Sequence, residues 1–284
     1  MNAEKILTTP QLERTLALAR DCLGLNCLGM LSGPSGTGKT VALQAVESRY
    51  STLSDNGKPL YLRCCIVQGP TRGIKDILDS IGIRASLLPP NATLQSTIKL
   101  ALRELHSRQI RLLLLDEADS WGLDSLEGVV SLYDWAAQRN QPISLLLAGT
   151  SDMVKWLGNY TSGLSRTLRC ESFTPMSPEL MLGVLREWDD RFAALASKVE
   201  AKDKEALALV KLVHKATSGS FRRLNYFARL MALSPSDRID RLPVQSAPWL
   251  ARVVLNADTV LFLANHTLRM VHRGVTYQTR TNPN

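Results

Sequence analysis

Cysteine is scarce and carries no pattern. The five thiols, Cys22, Cys27, Cys64, Cys65 and Cys170, make no C-x-x-C pair and stand at no Cys/His ligand spacing. An odd set of scattered thiols excludes a disulfide framework and a structural zinc site. It fits a reduced cytosolic chain that uses cysteine as core filler. His106 and His214 likewise lack a Cys, His or Asp partner at ligand spacing. Apolar runs are short: Leu112–Leu115 is far below the roughly 20 residues a membrane helix needs. The start, Met1 to Lys5, leads into a Thr-Thr-Pro turn, with neither the apolar segment nor the cleavage pattern of a secretory signal. Acids are absent after Asp258, where Arg269, Arg273 and Arg280 stand. The expectation is a cytoplasmic protein with no membrane partner.

What is present can build a core. With about 150 residues per domain as a guide, 284 residues leave room for one large or two modest domains. The chain is 45% hydrophobic and 21% charged, enough to bury a sizeable core. Its 34 basic residues against 26 acidic ones leave a net charge of +8, a balance compatible with nucleic acid as a partner.

Thr8-Thr9-Pro10 followed by Gln11 signals a helix start, and the segment Pro10–Leu23 puts Leu12, Leu16 and Ala19 on one face. Short apolar runs at Cys27–Leu31, Leu60–Val67, Ile110–Leu115 and Ile143–Ala148 read as buried strands, with Leu168–Phe173 as a fifth. Helical segments separate them at Gly38–Tyr50, Ile74–Ile81, Thr93–Arg108, Leu123–Arg139 and Asp152–Leu157. This alternation predicts an α/β fold with a parallel sheet covered on both faces. After Thr174-Pro175-Met176-Ser177-Pro178 the pattern turns all-helical. Glu179–Phe192 carries Met181, Leu185, Trp188 and Phe192 on one stripe, and Asp203–Thr217, Phe221–Leu233 and Leu250–Met270 follow. The expected organisation is an α/β core over 1–175, a helical lid over 176–270 and a mobile basic tail over 271–284. Cys64 and Cys65 fall on a predicted buried strand and read as packing. Trp121, Trp135, Trp156 and Trp188 read as core or interface residues rather than base-stacking platforms.

Two motifs carry chemistry. Gly33-Pro34-Ser35-Gly36-Thr37-Gly38-Lys39-Thr40 matches G-x-x-x-x-G-K-[ST] in full, after a predicted strand and at the start of a predicted helix. In that context the glycines let backbone N–H groups close around phosphate oxygens, and the helix N-terminus adds partial positive charge. Lys39 is placed to reach the β- and γ-phosphates of ATP, and the Thr40 hydroxyl to ligate Mg²⁺. Second, Leu112-Leu113-Leu114-Leu115-Asp116-Glu117 ends a buried strand in two carboxylates at the sheet's carboxyl edge, where ligands collect. Asp116 would hold Mg²⁺ through its water shell, and Glu117 would orient or deprotonate an attacking water. That glutamate favours hydrolysis over phosphoryl transfer to a small molecule.

With the strand ending in Ala148-Gly149-Thr150 and the helical lid, these motifs make the chain resemble the AAA+ ATPases. Asp116-Glu117-Ala118-Asp119, Leu164-Ser165-Arg166 and Gly219-Ser220-Phe221-Arg222-Arg223-Leu224-Asn225 extend the resemblance to the transposition-regulator ATPases called TnsC, TniB and MuB, over Gln11 to Leu233. The resemblance implies an AAA+ P-loop core with a five-stranded parallel sheet and a small helical lid. It implies that Thr150 contacts the γ-phosphate or its water. Arg166, with Arg169 as the alternative, is then the arginine finger that reaches a neighbouring subunit's nucleotide. Arg222, with Arg223 as the alternative, is the lid's sensor. Arg72 and Lys75, within Thr71-Arg72-Gly73-Ile74-Lys75-Asp76, and Thr93 become contacts to the phosphates of double-stranded DNA, which position a protein without reading sequence.

The expectation is a protein without the separate N-terminal DNA-binding domain of MuB-like relatives and without the winged-helix domain of replication-initiator ATPases. The expected function is an ATPase of the bacterial cytoplasm that assembles with its own copies on duplex DNA, as a helical filament or ring. It would recruit a transposase, with a target-selector complex as a further partner. The alternatives are an AAA+ switch of secretion or signalling type that binds no DNA, and a phosphate-loop kinase.

Overall fold

The structure is a computed structural model whose described residues are 8–51, 57–65, 69–84, 88, 92–159, 167–188 and 191–231. Thr9 starts α1 (Pro10–Leu25): its side chain accepts a bond from Leu12 N, Pro10 has no N–H to leave unpaired, and Asn26 closes the helix in the left-handed conformation. There follow β1 (Leu28–Ser32), α2 (Lys39–Tyr50), β2 (Lys58–Arg63), α3 (Arg72–Ser80), α4 (Leu94–Ser107) and β3 (Ile110–Asp116). A 3₁₀ turn over Ala118–Trp121 leads into α5 (Gly122–Gln138), β4 (Ser144–Gly149), α6 (Ser151–Asn159) and β5 (Thr167–Ser172). The lid helices are α7 (Pro178–Trp188), α8 (Arg191–Glu200), α9 (Lys204–Thr217) and α10 (Phe221–Met231).

The strands form one five-stranded sheet in the order β2-β3-β4-β1-β5, and every pairing is parallel. Each central strand buries both faces. On β3, Leu112 and Leu114 join the cluster of Leu18, Leu43 and Val46 from α1 and α2. Leu113 and Leu115 join Ile77, Ile98 and Val129 from α3, α4 and α5. Burial on both sides is why this strand reads as a continuous leucine run rather than an alternation. A third cluster joins α7 to α10 through Met181, Leu185, Leu195, Val213, Leu224 and Phe227. Within it the Phe192 and Phe227 rings are tilted, with centroids 6.3 Å apart. Ser177 caps α7 by accepting from Leu180 N, and Asp203 caps α9 by accepting from Ala206 N.

Some expectations need correction. The second strand begins at Lys58 and stops at Arg63, because its partner β3 stops at Asp116. Cys64 N makes the next cross-strand bond, 2.8 Å to Asp116 O. Cys64 is buried beyond the strand end and Cys65 is exposed; Ile66 and Val67 lie outside the described residues. Cysteine fills the core at Cys22 and Cys64, whereas Cys170 is exposed. The stripe Met181, Leu185, Trp188, Phe192 crosses two helices, since α7 ends at Trp188 and Phe192 belongs to α8. Phe192, Leu195, Ala196 and Val199 carry the i, i+3, i+4, i+7 spacing of a separate helix face, which Phe192 disguised as a continuation of the first. Trp121 is fully buried, Trp188 is partly buried, and Trp135 lies 5.0 Å beneath the Arg139 guanidinium. The side chain of Trp156, the expected helix Leu250–Met270 and the tail at 271–284 lie outside the described residues. No helix among the described residues is long and apolar enough to cross a membrane.

Candidate nucleotide-binding site

The G-x-x-x-x-G-K-T segment leaves the sheet between two strand ends. Gly33 N donates to Gly149 O at 3.2 Å, which ties the loop to the end of β4. Gly33 has φ 153°, and a Cβ there would lie 2.1 Å from the Phe173 carbonyl oxygen. Backbone cannot yield to that extent, so this position needs glycine. Inside the loop, Thr37 Oγ1 donates to Pro34 O at 2.8 Å. Lys39 Nζ donates to Gly33 O at 2.7 Å and to Pro34 O at 2.9 Å, so its ammonium is folded back across the loop. Burial holds the Lys39 ammonium below the ordinary lysine range, and the Asp116, Asp119 and Glu117 carboxylates pull it back up.

Beside the loop, β3 delivers Asp116, whose exposure is only 1%. Both of its oxygens are held: Tyr61 OH donates to Oδ2 at 2.9 Å, and Glu117 N donates to Oδ1 at 3.1 Å. Burial, followed by the Asp116 charge, pushes the Tyr61 phenol up, so it remains a donor. Glu117 follows in the left-handed region (φ 53°). Its carboxylate takes a two-pronged contact from Arg63, with Nε to Oε2 at 3.1 Å and Nη2 to Oε1 at 2.9 Å. At the end of β4, Asp119 Oδ2 accepts from Thr150 Oγ1 at 2.8 Å and from Thr150 N at 3.2 Å. The lid reaches the loop through α10. Arg222 Nη1 donates to Ser35 Oγ at 3.1 Å, and Ser220 Oγ donates to Gly36 O at 3.3 Å. A Cβ on Gly36 would stand 2.4 Å from Ser220 Oγ, so the missing side chain makes room for the lid.

These elements enclose a cavity of about 650 Å³, lined from Ser35 to Ala42 by the loop and α2, and also by Asp116, Glu117, Thr150 and Arg222. Its size is that of a small-molecule or cofactor site. The family model described as "AAA domain" matches residues 26–157. The chain is similar to the Aeropyrum pernix ORC2 protein in its ADP form, at 16% identity and TM-score 0.59, over 89% of this chain and 71% of that one. It is also similar to Cdc6p from Pyrobaculum aerophilum (16%, TM-score 0.55, 93% and 86%). Domain III of the Thermotoga maritima replication initiation protein DnaA is a third (12%, TM-score 0.53, 91% and 95%). At these identities the likeness shows the fold, an α/β AAA+ core. No curated protein matches the chain.

The matched segment holds the whole phosphate loop, Asp116, Glu117 and Thr150, and Arg222 comes from α10 beyond it. Of the two candidate sensor arginines, Arg222 lines the cavity, while Arg223 Nη1 donates to Ser218 Oγ at 3.1 Å in its own turn. Arg166 lies outside the described residues. Arg169 is on the edge strand β5 and pairs with Glu171 (2.8 Å) and Asp21 (3.9 Å). Arg72 and Lys75 lie in the first turns of α3. Arg72 pairs with Asp76 at 3.2 Å, and Asp76 also accepts from Trp121 Nε1 at 3.1 Å. Burial raises the Asp76 carboxyl, and Arg72 works against that shift. The Thr93 hydroxyl is the N-cap of α4, accepting from Ser96 N at 3.2 Å.

Sequence reasoning missed Tyr61, Arg63 and the partnership of Asp119 with Thr150. The available signal for the first two was weak: polar-tipped residues near the carboxyl end of an apolar strand. Asp119 stood inside a quoted motif without a role of its own. The residues fit a magnesium–nucleoside triphosphate. The loop is a glycine cradle around a lysine, and Thr40 and Asp116 offer hard oxygens of the kind Mg²⁺ takes alongside phosphate and water.

Proposed function

We propose that the protein is a magnesium-dependent ATPase whose ATP-bound form assembles with its own copies on double-stranded DNA. The observation that carries the ATPase reading is the convergence of the phosphate loop, Asp116, Glu117, Thr150 and Arg222 on one cavity. Backbone N–H groups of residues 33–40 and the start of α2 would receive the phosphates, with Lys39 bridging the β- and γ-phosphates. Thr40 and Asp116 would hold the metal. Bound Mg²⁺ supplies charge neutralisation at the phosphate oxygens. Glu117 would accept a proton from the attacking water, Thr150 and Arg222 would sense the γ-phosphate, and Arg166 would enter a neighbouring subunit's site. The intrachain pairs of Arg169 favour Arg166 for that task.

Tyr61 is a positioning residue in this scheme, since its hydroxyl anchors one oxygen of Asp116. Tyr61→Phe should raise the Mg²⁺ concentration for half-maximal turnover by about tenfold or more, the size of one lost bond to a charged group. Metal-free ADP binding should not change. An unaltered Mg²⁺ dependence would remove Tyr61 from the site's chemistry.

DNA contact rests on the net charge of +8 and on Arg72, Lys75 and Thr93 at the starts of neighbouring helices. One structural neighbour is described as a replication initiation protein. Recruitment of a transposase and a target selector, in the bacterial cytoplasm, is the reading that the transposition-regulator resemblance favours. The test is ATP turnover and binding with and without duplexes of unrelated sequence. Binding should need ATP, tolerate sequence and weaken steeply with salt, with about −0.9 of log–log slope for each phosphate neutralised. Lys75→Ala should lower affinity equally on all duplexes. Flat salt dependence would overturn backbone tracking and leave a DNA-independent switch. A phosphorylated product in place of free phosphate would return the kinase reading.

A further inference from the structure

The one proton of the Thr150 hydroxyl already has a destination. Asp119, in the 3₁₀ turn after β3, accepts through Oδ2 from Thr150 Oγ1 at 2.8 Å and from Thr150 N at 3.2 Å. An ionised carboxylate only accepts, and a threonine hydroxyl has a single proton to give. Thr150 therefore donates to Asp119 and keeps only lone pairs for the cavity, which both residues line together with Lys39 and Glu117. The end of β4 leaves room for this pairing. Gly149 is not in the left-handed region, yet a Cβ there would stand 2.9 Å from Asp119 Oδ1 and 2.8 Å from Met153 Sδ. The missing side chain lets the carboxylate lie against the strand end.

We infer that Asp119 is a positioning residue that presents the Thr150 oxygen to the attacking water as an acceptor. The inference rests on the ATPase reading of the cavity. A phosphate oxygen is itself an acceptor, so it gains nothing from a hydroxyl whose proton points elsewhere. Water can donate to that hydroxyl. One O–H of the water would bond to Thr150 Oγ1, which aims the molecule, and the other would face Glu117. On attack the water oxygen bonds to the γ-phosphorus, its proton passes to Glu117, and the bond to the β–γ bridging oxygen breaks to give ADP and phosphate. Thr150 then senses the γ-phosphate through this water. Both bonds from Thr150 end on the same oxygen, so the amide oxygen of an asparagine could take over Asp119's part.

The test combines steady-state phosphate release with equilibrium titration of a fluorescent ADP analogue and of a non-hydrolysable ATP analogue. Asp119→Ala should lower kcat by about tenfold or more, the scale of one lost bond to a charged group. Neither nucleotide's affinity should change. Asp119→Asn should recover most of that loss. Thr150→Val should lose turnover while binding both nucleotides as wild type does, and adding Asp119→Ala to it should cost no more, because Asp119 acts through the hydroxyl. Losses that add in the double variant would overturn the inference. So would an Asp119→Asn protein as slow as Asp119→Ala, since charge rather than hydrogen bonding would then matter. Weaker binding of the ATP analogue alone by Thr150→Val would overturn it as well, because that marks a direct bond to the γ-phosphate. Should Asp119→Ala fail to fold, Asp119→Asn compared with wild type and the nucleotide affinities of Thr150→Val decide the matter. Failure of the ATPase reading looks different: the wild-type protein then releases no phosphate, and the inference falls with it.

Discussion

Lys39→Ala is expected to lower nucleotide affinity by at least about a hundredfold and to abolish every ATP-dependent step after it. Two charge-assisted bonds to phosphate oxygens would be lost, each of about 1.5–3 kcal/mol. The loss is compounded by the neighbourhood. Lys39 faces Asp116, Asp119 and Glu117, and their fields act on its ammonium. Without that cation, three carboxylates would confront a triphosphate across a partly buried cavity, where charge repulsion is poorly screened. Equilibrium titration with a fluorescent nucleotide measures the effect. Affinity within a few-fold of wild type would remove the phosphate-loop assignment.

Glu117→Gln should separate binding from turnover. Glutamine keeps the size of the side chain and much of its hydrogen bonding but cannot take a proton. Nucleotide affinity should therefore stay close to wild type while turnover falls by about 10²–10⁴, the usual contribution of a general base. If the proposed assembly with ATP occurs, it should then persist, since hydrolysis would no longer remove the γ-phosphate that would hold subunits together. The substitution also breaks the two-pronged contact from Arg63. Arg63→Ala is the control, because it frees the carboxylate without removing it. If Arg63→Ala loses as much turnover as Glu117→Gln, the role lies with the ion pair, and Glu117 is not the base.

The elements that positioned the site were legible where their signal is local. β1 and β3 lie between helices on both faces, and their apolar runs announce that burial directly. Capping at Thr9 and Ser177 is written in neighbouring residues. The failures have the same physical origin in reverse. The end of β2 depends on where β3 stops, which the β2 sequence does not carry. The break between α7 and α8 was hidden because Phe192 falls in phase with both apolar stripes, and only the packing of the lid cluster separates them.

The sequence by itself determined the parallel α/β architecture, the phosphate loop and the Asp116–Glu117 pair, because each depends on the chemistry and spacing of adjacent residues. Tertiary structure alone decided which distant groups act on them. Tyr61 meets Asp116 across 55 residues, Arg63 meets Glu117 across 54, and Arg222 meets Ser35 across 187. It also placed Arg222 in the cavity and brought Thr150 to Asp119 across 31 residues. No local period encodes such meetings. They arise when the sheet order β2-β3-β4-β1-β5 places β2 beside β3, and when the lid closes over the loop through a glycine that leaves it room.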